Sequence, residues 1–225
     1  MDRLRQQVVL RLEADWPQSL WQWDCQEAEI RAMGLTWDEK GGGLDLPYLD
    51  DHLPEPVSTI ALARDYVIPS LLPSAFYHLS RLSIYDDRRT TRTLEDGGNN
   101  SYSEGLLDGQ RTADWILLSS MDYMCLLKGR LGLSCASQSL FSVTQVGHRQ
   151  HSNDTCLLLW QVSLLTEIRE ACRRSSDPLE TARRHLEQGR FGDQVCTMCC
   201  SYIQKELQAF RSMVWTKLPE YFGLQ

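Results

Sequence analysis

The chain is predicted to be all-α, an irregular helical bundle in two helix groups joined by a mobile loop. Three observations predict it. Apolar residues recur at spacings of three and four, which gathers them on one side of a helix. Almost no stretch alternates apolar and polar residues over the length of a strand. Several segments also open with helix-start chemistry. The clearest is Ser176-Asp177-Pro178-Leu179-Glu180, a capping residue, a proline for the first turn and an acid in succession. No repeat of fixed period is visible, which argues against a solenoid.

The elements follow in order. Asp2 to Ala14 reads as a helix with Leu4, Val8 and Leu12 on one stripe, ended by Trp16-Pro17. Ser19 is placed as the N-cap of a second helix that reaches Met33, with Gly34 as its C-terminal signal. Its Leu20, Trp23, Ala28 and Ile30 supply apolar surface. Glu39 to Gly43 reads as a glycine-rich loop. Leu53-Pro54-Glu55-Pro56 opens a third helix that continues to Tyr66, and Ile68-Pro69 breaks the chain. Leu71, Leu72, Ala75, Phe76 and Leu79 make a fourth. Tyr85 to Gly109 is polar and without period, so residues 85–110 are taken as the flexible loop between a 1–84 group and a 111–225 bundle. Ser119 or Ser120 caps a helix carrying Tyr123, Met124, Leu126, Leu127 and Leu131, weakened by Gly129 and Gly132. Gln145 to Asn153 reads as a loop, and Asp154 caps a helix striped by Leu157, Trp160, Leu164, Leu165, Ile168 and Cys172. After the start at Asp177 comes a long helix, Thr197 to Thr216, with Cys199, Tyr202, Ile203, Leu207, Phe210 and Val214 on one face. Leu218 to Phe222 adds a short turn.

The 225 residues are enough for one large domain or two small ones. A net charge of −7 argues against non-specific binding to nucleic acid or to anionic membrane, both of which need a basic face. The longest apolar run, Cys156 to Trp160, falls far short of the ~20 residues of a membrane span. The first residues hold no apolar signal-peptide core. These features lead to an expected intracellular location, cytoplasmic or nuclear, with the eight cysteines as reduced thiols.

Cysteine carries the one chemical signal worth a hypothesis. Cys196-Thr197-Met198-Cys199 is a CxxC, a pair suited to a soft metal, and Cys156 with His151 would complete a tetrahedral zinc site. The competing reading makes these cysteines small hydrophobes of the core. Cys25 and Cys125, lacking a recognisable His partner, are read as core. The carboxylates Asp50-Asp51, Asp86-Asp87, Glu27 and Glu29 form no motif that fixes two acids across a substrate. No phosphate-cradling loop, HExxH, GxSxG or kinase signature is present. Trp21, Trp23, Trp115, Trp160 and Trp215 are read as core more readily than as interface anchors. The function expected from the residues is a protein-interaction module. A structural zinc module, or an enzyme with an unrecognised site, are the alternatives.

The wording of the sequence adds a resemblance. Asp15-Trp16-Pro17-Gln18-Ser19-Leu20, Leu53-Pro54-Glu55-Pro56, Ile60-Ala61-Leu62-Ala63-Arg64, Ile68 through Ser80, and the tail Val214 through Leu224 resemble uncharacterised BTB-domain or F-box-like proteins of mushroom-forming fungi. The resemblance covers nearly the whole chain and corresponds to the region that follows the BTB-like fold, whose strands would precede Met1. It implies a non-enzymatic ubiquitin-ligase adaptor. Its partner would be a cullin-type scaffold or a BTB protein. It also implies cysteines near Cys156, Cys196 and Cys199, in keeping with zinc.

Overall fold

A computed structural model describes residues 2–39, 50, 53–89, 111–141, 164–188 and 195–224. Among these residues the secondary structure is helical apart from one isolated parallel bridge between Asp87 and Ala113. The chain divides into two units, Met1–Leu127 with Phe222–Gln225, and Lys128–Tyr221. No described helix is long and apolar enough to cross a membrane.

The first unit contains α1 (Asp2–Asp15), α2 (Leu20–Glu39), α3 (Pro56–Asp65), a 3-10 turn (Pro69–Leu71), α4 (Leu72–Arg81), a second 3-10 turn (Trp115–Leu117) and the opening turns of α5 (Ser120–Gln138). Helix α4 is its hub. Every residue from Ser74 to Ser80 is buried. Two of the polar ones satisfy themselves locally, Ser74 Oγ donating to the Leu71 carbonyl and Ser80 Oγ to that of Tyr77. Trp23 meets Tyr77 edge-on at 5.0 Å, and Phe222 stacks on Phe76 at 5.5 Å.

The ends of α3 show how local chemistry sets its length. Pro56 occupies the first turn, and the Glu55 carboxylate accepts from the backbone N–H groups of Val57 and Ser58. At the other end Ile68 N–H bonds the Ala63 carbonyl and Val67 N–H the Arg64 carbonyl, the paired closure of a Schellman motif. That motif needs a left-handed residue, usually glycine. Here Val67 takes it, at φ 55°. Gly223 takes the same conformation after the last helix without penalty.

One expected boundary requires correction. Helix α2 continues past Gly34 to Glu39, because a glycine weakens a helix without ending it and no proline follows before Pro47. Among its described side chains Trp23 and Glu27 are buried, while Leu20 and Ile30 are half-buried and Ala28 is exposed. Helix α1 forms as expected, with Val8 of its stripe exposed and Leu12 half-buried.

The second unit holds the rest of α5, then α6 (Leu165–Arg174), α7 (Pro178–Gln188), α8 (Thr197–Thr216) and α9 (Leu218–Tyr221). The expected faces are the buried ones: Leu165, Ile168 and Cys172 on α6, and Cys199, Ile203, Leu207, Phe210 and Val214 on α8. Asp177 caps α7 by accepting from Glu180 N–H at 3.0 Å. Buried Arg211 donates from Nε to the Leu179 carbonyl and so ties α8 to the start of α7. Gly132 allows Tyr221 to approach α5, since a Cβ there would lie 2.9 Å from Tyr221 Cβ. Glu39, expected to open a loop, is the last residue of α2, while residues 40–43, the 145–153 loop, most of the 85–110 loop, and the helix start at Asp154 lie outside the described residues.

Candidate functional site

The polar groups of the first unit form a connected interior. His78 is 3% exposed and sits between the Trp16 and Trp23 rings, at 6.0 and 6.5 Å. Arg111 places a guanidinium nitrogen 2.7 Å from His78 Nδ1 and 3.1 Å from Nε2. A guanidinium can only donate, so the imidazole accepts and is neutral. Burial, and then the cations Arg111 and Arg81, hold its pKa well below the ordinary histidine value. One turn on, Arg81 grips Glu27 with two hydrogen bonds of 2.7 and 3.0 Å, and its guanidinium lies 5.1 Å over the Trp23 ring. Next to Arg111, Thr112 donates from both N–H and Oγ to the buried Asp50 carboxylate. Trp16 Nε1 donates to Thr59 Oγ, which donates to the Glu55 carbonyl. These groups are largely enclosed and joined by hydrogen bonds, the arrangement of a packing network.

The same network fixes the start of α5. Glu55, already the cap of α3, accepts from Asp114 N–H. Arg64 on α3 donates to Asp122 at 3.2 Å, and Ser119 Oγ donates to Asp122 while capping its N–H. Tyr123 stacks near Trp115 and its hydroxyl donates to the Trp115 carbonyl.

Held this way, α5 turns an unexpected side outward. Of the apolar residues expected to line it, only Leu126 is buried. The inward face is Asp122, Cys125, Leu126, Gly129, Leu133 and Ala136, mostly small or polar. Met121, Met124, Leu127 and Leu131 face solvent at 70, 52, 57 and 66% exposure, and Ile116 and Leu117 in the preceding turn are exposed as well. A helix apolar on both sides is normally covered on both. Periodicity could not identify this face, because large residues at helical spacing read as core until the packing is known.

The proposed zinc ligands fare differently from one another. His151 and Cys156 lie outside the described residues. Cys196 is the half-buried residue before α8, and Cys199 is fully buried in its first turn. No group of three metal-ligating side chains gathers among the described residues. Burial pushes the Cys172 thiol up to about 12, so it packs as a neutral thiol. Cys125 is core as expected, whereas Cys25 is half-buried. Of the tryptophans, Trp23 and Trp115 are core, Trp215 is half-buried and Trp21 is exposed. Trp160 lies outside the described residues.

No family model, curated protein or solved structure matches the chain.

Proposed function

We propose that the protein is a non-enzymatic protein-interaction module that works through the outward face of α5. The observation that carries this reading is the exposed row Met121, Met124, Leu127 and Leu131 on a helix anchored by an ion pair and a cap. Monomeric surfaces scatter single apolar residues, and a row of four large ones on one helix marks a contact site. The favoured assembly is a ubiquitin-ligase adaptor that binds a cullin-type scaffold or a BTB protein. The resemblance in the helices around Ile60–Arg64 and Ile68–Ser80 supports this assignment. Binding of the purified chain to a purified cullin scaffold or BTB protein tests it. Met124→Glu should weaken that binding at least tenfold while the far-UV spectrum stays unchanged. No binding to either protein would remove the ligase assignment.

A structural zinc module is the second reading. It is favoured by the CxxC that sets Cys196 and Cys199 one turn apart at the start of α8. About one zinc per chain, lost in both Cys196→Ser and Cys199→Ser, would support it. A metal-free, fully folded protein would end it.

A further inference from the structure

We infer that the outward face of α5 pairs with the same face of a second copy of this chain, the two helices antiparallel. The inference rests on the reading of α5 as a contact face and makes a second copy a competitor of the partner for that face. Along this single helix the outward residues Met121, Met124, Lys128, Leu131 and Cys135 follow at intervals of three, four, three and four. That is the spacing of a two-helix seam, with Leu127 flanking it and the inward face turned away. At on the order of 100 Å² for each half-exposed side chain, Met121, Met124, Leu127 and Leu131 offer about 400 Å². A standard interface takes about 800 Å² per partner. The apolar area thus supplies about half of a dimer contact before any rim residue is counted.

Lys128 decides the orientation. In a parallel pair the two Lys128 side chains would meet at the centre of the seam, where like charges repel and lose water. In an antiparallel pair centred at Leu126, Met121 lies opposite Leu131 of the other copy and Met124 opposite its Lys128. The two ammonium groups are then offset by about 6 Å along the axis. Each lysine stem can cover a methionine while its charge stays at the rim. The face is thereby complementary to itself.

The test is sedimentation of the full chain under reducing conditions up to about 100 μM, a range in which a contact of this size associates. The expected result is a reversible dimer. Met124→Glu should weaken it at least 100-fold without changing the urea midpoint measured at low concentration, where the chain is monomeric. Lys128→Leu should tighten it. In a Cys135→Ser background, Met121→Cys and Leu131→Cys chains should crosslink when mixed and not when separate. A monomer throughout, a dimer indifferent to Met124→Glu, or crosslinking of each cysteine variant alone would overturn the inference. If the chain is monomeric but Met124→Glu still abolishes partner binding, self-pairing fails and the contact-face reading stands.

Discussion

Replacing His78 by glutamine tests the buried polar interior of the first unit. Glutamine can still accept from Arg111, but it does not titrate. In the native protein His78 stays neutral, since burial and the cations Arg111 and Arg81 depress its pKa well below 6.5. The unfolded chain takes up a proton near pH 6.5, so below that pH the unfolded state binds one more proton than the folded state. Stability is therefore full above pH 6.5 and falls as the pH drops toward the depressed folded pKa. For one proton the loss approaches about 1.4 kcal/mol per pH unit, or roughly 1.4 kcal/mol in total between pH 7.5 and 5.5. The His78→Gln chain should lack this increment. Urea unfolding at several pH values, followed by tryptophan fluorescence, measures both proteins. His185 is also depressed by burial, with Glu167 opposing, but it is common to both chains and cancels in the difference. The stability gap between wild type and variant should thus shrink by about 1.4 kcal/mol from pH 7.5 to pH 5.5. A gap that stays constant with pH would refute the neutral, enclosed histidine.

Three further outcomes follow from the packing. Arg81→Met leaves the Glu27 carboxylate buried without its guanidinium and should cost about 3–5 kcal/mol in urea unfolding; adding Glu27→Leu should recover part of it, and strict additivity would contradict a direct pair. Val67→Asn should raise stability by about 1 kcal/mol, because asparagine tolerates φ 55° where a β-branched residue does not, and the side chain is 76% exposed with little contact to lose. A lowered melting temperature would show that Val67 is not strained. Gly132→Ala gains helix propensity but drives a methyl into Tyr221, for a net loss on the order of 1 kcal/mol by thermal unfolding; a stabilised variant would contradict that close approach.

Local chemistry made several elements legible in the sequence. Pro56 behind Glu55 started α3, Asp177-Pro178 started α7, and the spacing of Cys199, Ile203, Leu207, Phe210 and Val214 placed the buried face of α8. These succeeded because caps and amphipathic stripes act within one or two turns of the residues that carry them. Where a long-range partner decides, the sequence was silent. Val67 closes α3 in a conformation that glycine usually takes, so no glycine signal marked that end. Glu27 and Asp50 belonged to no motif in the sequence, and they are buried because Arg81 and Thr112, far away in the chain, pair with them.

The candidate contact face divides the same way. That residues 120–138 form a helix rich in large apolar side chains was set by the sequence, through their spacing and the serine at its start. Which side of that helix faces out was decided only by tertiary structure. Arg64 holds Asp122 inward and Tyr221 fits over Gly132, so the small and polar side packs while the methionines and leucines remain in solvent. Periodicity measures how apolar residues cluster around a helix axis, but the direction of that cluster depends on contacts with residues remote in the chain.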